Sequence, residues 1–125
     1  MLNEQKELYE LLNESNSLNE IQNYIRKIIK IRGFSEQRVQ DKMLLLLEET
    51  GELAKAIRKK LPEASIDYAK IENYTDIEEE IADVFIVLTS ICNRLNINLY
   101  NAIKNKEEKN IKRQWKVNKG DKVEK

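Results

Sequence analysis

Glycine and proline are nearly absent from this chain: 125 residues hold three Gly and one Pro. Strand-and-turn folds use both residues for tight turns, whereas a helix interior tolerates neither well. Their scarcity predicts long helices joined by few connections. Hydrophobic residues at 41% and charged residues at 35% can then divide into buried and solvated helix faces. The length suits a single domain, with residues enough for one core but not for two.

Helical spacing runs through almost the whole sequence. Residues 3–13 give a weak amphipathic helix whose apolar stripe is Leu8, Leu11 and Leu12. Ser17-Leu18-Asn19-Glu20 forms a capping box that opens a second helix, carrying Leu18, Ile21, Ile25, Ile28 and Ile29. Gly33 ends that helix as a left-handed cap. Ser35 is placed to cap a third helix over residues 36–60, which stops before Pro62. A polar connection over 61–75, with one helical turn around 66–70, leads to a second capping box at Thr75-Asp76-Ile77-Glu78. Its helix continues to Leu95, and Asn98 caps a last helix over residues 99–113. The expected organisation is an N-terminal helical extension (1–16), a main domain (17–115) and a flexible, lysine-rich tail (116–125).

Charge and composition exclude several classes. The 22 basic residues balance 22 acidic ones, so nothing in the net charge favours a nucleic-acid polymer or an anionic membrane. The first twelve residues, MLNEQKELYELL, are charged and lack the apolar core of a signal peptide. No apolar run reaches the length of a membrane span. The expected location is the cytoplasm. Cys92 is the single cysteine and lies in an apolar run, which makes it a core residue and rules out an intrachain disulfide.

Two acidic pairs interrupt the most hydrophobic stretches: Glu49-x-x-Glu52 and Glu80-x-x-Asp83. The i,i+3 spacing sets each pair on one helix face. Advancing 100° per residue from Leu44 puts Leu45 and Ala56 at about 110°, with Leu46, Leu53 and Ile57 at about 200°. Glu49 falls inside that arc at about 140° and Glu52 at its edge, while Glu48, Lys55 and Lys59 form a polar stripe at about 40°. On the following helix, Ile77, Ile81, Val84, Phe85, Leu88, Ile91 and Leu95 make a broad apolar face, with Glu80 and Asp83 along one border. A single E-x-x-E is most often a solvated face. Two such pairs on neighbouring apolar helices would bring four carboxylates together, which raises their pKa values unless a cation neutralises them. Oxygen-only ligands point to a hard ion, Mg²⁺ or Mn²⁺. The chain has no histidine, which excludes a di-iron bundle built on Glu-x-x-His.

These residues resemble the all-α nucleoside triphosphate pyrophosphohydrolases, the MazG-like group. The group's pattern is an E-x-x-E helix followed, after a variable connection, by an E-x-x-D helix. Leu47-Glu48-Glu49-Thr50-Gly51-Glu52-Leu53 and Glu80-Ile81-Ala82-Asp83-Val84 match it. The basic-polar signature typical of the last helix is matched by Lys106-x-x-x-Asn110-x-x-Arg113, after Asn98-Leu99-x-x-Ala102. The resemblance implies an all-α bundle of about four core helices, completed by homo-oligomerisation to a dimer or tetramer. It implies a Mg²⁺-dependent enzyme, with Mn²⁺ a possible substitute, converting a nucleoside triphosphate to the monophosphate and pyrophosphate in nucleotide housecleaning. Glu49, Glu52, Glu80 and Asp83 would be the catalytic metal ligands. Lys106, Asn110 and Arg113 would bind phosphate from one helix face. Some relatives stack an aromatic on the base. Phe34 is the candidate here, with Tyr68 and Tyr74 weaker ones, while Trp115 is read as an anchor of the helix end, and Val87 departs from relatives that carry an aromatic after the second acidic motif. The alternatives are a phosphoribosyl-ATP pyrophosphohydrolase-like enzyme and a non-catalytic helical oligomer acting as an interaction module.

Overall fold

The computed structural model describes residues 2–61 and 76–114, and none of these residues forms a strand. They fold as α1 (Leu2–Glu10), α2 (Leu18–Ile31), α3 (Val39–Lys60), α4 (Ile77–Arg94) and α5 (Leu99–Asn110). The all-α expectation is met. Thr75, the connection over 62–75 and the tail from 115 lie outside the described residues.

Local chemistry fixes most helix ends. Ser17 Oγ accepts the Glu20 N–H at 3.1 Å, and Glu20 Oε1 accepts the Ser17 N–H at 2.8 Å, closing the capping box. The Ser17 N–H bond also holds the Glu20 carboxyl below its usual pKa. Helix α2 ends in a Schellman motif. Gly33 sits at φ 87°, its N–H donates to the Lys30 carbonyl, and the Phe34 N–H donates to the Ile29 carbonyl at 3.0 Å. Helix α4 ends the same way around Asn96 at φ 57°, with the Ile97 N–H donating to the Cys92 carbonyl at 2.8 Å. Asn98 caps α5 by accepting the Asn101 N–H at 2.8 Å.

Three boundaries differ from expectation. Ser35 does not cap α3: the chain leaving Gly33 makes another turn, with the Gln37 N–H on the Phe34 carbonyl, so the helix opens at Val39. Arg38 is the N-cap, and its guanidinium pairs with Asp41 at 3.1 Å instead of capping the backbone. Asp76 holds the N-cap position of α4 and makes no side-chain cap bond there. Helix α5 stops at Asn110, so Arg113 lies in the turn beyond it.

The antiparallel pair α3–α4 is the main packing unit. Helix α2 lies on α4, and both α1 and α5 pack on α2. Among the described residues the buried hydrophobic side chains are Ile25, Ile28, Ala56 and Cys92. Gln22, also buried, ties α2 to the α4–α5 turn. Its Nε2 donates to Asn93 Oδ1 and the Ile97 carbonyl, both at 2.8 Å, and its Oε1 accepts the Leu99 N–H at 2.9 Å. On α4 one neighbouring pair reverses the expected polarity. Glu80 is 4% exposed and faces α3, whereas its neighbour Ile81 is 53% exposed. Leu88 and Leu95 on α4 and Leu44 and Leu47 on α3 are also exposed. Glu80 therefore occupies the helix–helix contact, while Leu44, Leu47, Ile81, Leu88 and Leu95 are turned outward. No helix of the described residues is long and apolar enough to cross a membrane.

Candidate metal centre

Helices α3 and α4 bring three carboxylates to one point. One oxygen each from Glu49, Glu80 and Asp83 lies within 4.8 Å of the others. Glu80 is buried, Glu49 half-buried and Asp83 exposed, so the cluster has a closed floor and an open side. The wheel position of Glu49 explains its part. Lys42, Glu49 and Ala56 recur every seven residues along α3, and all three turn inward. Glu48, one residue away, is exposed as expected, although Lys55 and Lys59 of the same stripe are half-buried.

Glu52 stands one turn beyond Glu49 and is exposed, outside the close trio. Its charge still reaches the site. Burial, and then the charges of Asp83, Glu80, Glu52 and Glu48, raise the pKa of Glu49. Burial and then Glu80 raise that of Asp83. The donor set is carboxylate oxygen alone, held on two helices. It fits a hard divalent cation and offers nothing to a thiolate- or imidazole-seeking metal.

The proposed phosphate-binding residues are placed elsewhere in the single chain. Lys106 and Arg113 are exposed, and Asn110 is half-buried, its Nδ2 donating to Glu107 Oε2 at 2.7 Å. Among the described residues the main packing of α5 is on α2, whereas the acids lie on α3 and α4. Phe34 lies in the α2–α3 turn, 51% exposed, beside a cavity of about 100 Å³ that also touches Ile29, Lys42, Leu45, Val87 and Ser90. Tyr68, Tyr74 and Trp115 are outside the described residues.

Lys42 is the residue that sequence reasoning missed. It is only 3% exposed, and its Nζ donates to the Phe34 carbonyl at 2.9 Å and to Ser90 Oγ at 2.8 Å. Burial, and then Arg94, lower its pKa. Its position on the wheel, seven residues before Glu49 and so on the same face, was the available signal.

A family model, the MazG nucleotide pyrophosphohydrolase domain, matches residues 37–118. That span carries all four sequence-identified acids together with α5. Comparison with curated proteins gives no match.

Proposed function

The chain belongs to the MazG nucleotide pyrophosphohydrolase family, hydrolases acting on phosphoric anhydrides, and from that membership we propose a Mg²⁺-dependent activity with a (deoxy)nucleoside triphosphate as substrate. The products would be the monophosphate and pyrophosphate, and the role removal of surplus or non-standard nucleotides. The observation that carries the metal assignment is the trio of Glu49, Glu80 and Asp83 oxygens within 4.8 Å. Glu52, exposed at the rim, is the proposed fourth ligand, and Mn²⁺ would substitute for Mg²⁺. When bound, the ion supplies neutralising charge for the phosphates and a water of lowered pKa.

Glu80, fixed in the α3–α4 contact, would hold the others in register. Glu49 and Asp83, whose charged forms are disfavoured without a cation, would gain most from its binding. Phe34 is proposed to flank the base beside the cavity. Residues 17–115 would form the hydrolase domain, with 1–16 an N-terminal extension.

Homo-oligomerisation completes the proposal. Leu44, Leu47, Ile81 and Leu88 form an exposed apolar surface on the two acid-bearing helices, which a dimer or tetramer would bury. A neighbouring copy would also give Lys106, Asn110 and Arg113 a route to phosphates. The test is pyrophosphate release across a panel of nucleoside triphosphates. Expected is Mg²⁺-dependent release that falls at least about 100-fold in a folded Glu80→Gln variant. Unchanged turnover in that variant would remove these carboxylates from the mechanism.

A further inference from the structure

A polar cavity of about 310 Å³ lies where the last turns of α2 and α4 meet the chain leading into α3. Three cations line it, Arg26 and Lys30 from α2 and Arg94 from α4, against one acid, Glu36. In a chain whose net charge is zero, that is a local excess of one sign. Basic residues near a helix C-terminus often do no more than offset the macrodipole. Here two helix ends supply about one negative charge between them, and Glu36 a second. Lys42, whose Nζ reaches Ser90 on the cavity wall, joins the other cations, so an excess of about two positive charges remains. None of Arg26, Lys30 and Arg94 forms an ion pair among the described residues.

The lining is also arranged to donate. Arg26 Nη2 donates to Asn93 Oδ1 at 3.0 Å and Nη1 to Asn23 Oδ1 at 3.3 Å, which fixes one guanidinium across the α2–α4 contact. Arg94 Nε donates to the Gln37 carbonyl at 3.2 Å, leaving both Nη groups without a hydrogen-bond partner among the described residues. Ser90 is only 6% exposed, and its Oγ accepts the Lys42 N–H at 2.8 Å, so its own hydrogen is directed away from Lys42. The acceptor of Asn93 is already taken by Gln22 and Arg26. Ser35 and Asn96 can donate or accept, and Ile29 is the apolar member of the lining. Arg26, Lys30 and Arg94 are exposed while Ser90 is buried, so the cavity opens to solvent on its cationic side.

The geometry points to a binding site for a small phosphate anion, with pyrophosphate the best match. Three separate cations suit several oxygens spread over two phosphoryl groups, and no aromatic or broad apolar wall is present for a nucleoside. The lining includes none of Glu49, Glu52, Glu80 and Asp83. Ser90 and Arg94 stand seven and eleven residues beyond Asp83 on α4, about 10 and 16 Å along the helix.

The test is calorimetric titration of the full chain with pyrophosphate in EDTA at constant ionic strength, so that neither a divalent ion nor turnover enters. Expected is saturable binding that Lys30→Gln and Arg94→Gln each weaken about 10-fold. Glu36→Gln should instead tighten it about threefold, a sign that lost structure would not produce. Lys104→Gln removes the same charge from α5 and should leave Kd within about twofold. Absence of saturable binding, or equal weakening by all three lysine and arginine variants, would overturn the inference. ADP is expected to bind no tighter than pyrophosphate, and binding about 10-fold tighter would refute a site for the free anion. Lys30 and Glu36 are exposed and make no hydrogen bond among the described residues, so their variants carry the test if Arg94→Gln fails to fold. Failure here would leave the hydrolase reading untouched, because the titration involves neither the ion nor the reaction.

Discussion

In the metal-free protein, replacing Glu49 by glutamine should stabilise the fold. The three carboxylate oxygens lie within 4.8 Å of one another. At that separation two unit charges repel by ~0.9 kcal/mol in bulk water and ~3.5 kcal/mol at an effective dielectric of 20. Asp83 is exposed and Glu49 half-buried, so solvent screening keeps each pair near the lower half of that range, about 1–2 kcal/mol. Glu49→Gln keeps the side-chain shape and removes two of the three repulsions. The expected gain in EDTA is about 2–4 kcal/mol, or on the order of 10 °C in Tm for a chain of this size. Mg²⁺ should reverse the order. Wild type gains about 2.7 kcal/mol at an ion concentration one hundred times Kd, whereas the variant, short of one ligand, gains little. The assay is thermal unfolding of both proteins at matched concentration, with EDTA and with Mg²⁺. A variant less stable than wild type in EDTA, or equally stabilised by Mg²⁺, would refute the electrostatic reasoning.

The same carboxylates set a pH dependence. The pKa values of Glu49 and Asp83 are raised on folding above their ordinary 4.5 and 3.8. Their contribution to metal-free stability is therefore complete below those ordinary values and lost as pH rises through the raised ones. Glu20 and Asp41 are shifted down and act in the opposite sense, so the useful quantity is the difference between wild type and Glu49→Gln. In urea unfolding with EDTA that difference should grow from pH 4 to pH 8, and a flat difference would contradict the shift. Leu47→Glu places a charge on the exposed apolar surface of α3 and should lower the oligomeric state seen by sedimentation without unfolding the chain. An oligomer identical to wild type would place the interface elsewhere. Gln22→Leu leaves the Leu99 N–H and the Ile97 carbonyl without their buried partner and should cost about 2–3 kcal/mol in urea unfolding. A loss under ~0.5 kcal/mol would show that water replaces the amide.

What the sequence made legible was the local chemistry. The capping box at Ser17, the left-handed Gly33 and the Asn98 cap each depend on a few adjacent residues, and each forms as expected. Periodicity separated Glu49 from Glu48 for the same reason, since the direction of a side chain on a helix follows from its number. The partner that each face meets was not legible. Glu80 sits in the α3–α4 contact while Ile81 points outward, an arrangement that a rule sending apolar residues inward reverses. Lys42 escaped notice because its burial depends on the Phe34 carbonyl and on Ser90, eight and 48 residues away. The end of α5 was overrun because its charged residues suit a helix and an exposed turn equally well. The surroundings of Lys106, Asn110 and Arg113 are set by how α5 packs, and a helical wheel holds no such information.

The most direct measurement identifies the products of a nucleoside triphosphate incubated with the wild-type protein, followed by phosphorus NMR with Mg²⁺ and with EDTA. Expected are nucleoside monophosphate and pyrophosphate in equal amounts, formed with Mg²⁺ and absent in EDTA. Diphosphate with orthophosphate, or turnover that survives EDTA, would contradict a pyrophosphohydrolase that depends on the ion held by Glu49, Glu80 and Asp83.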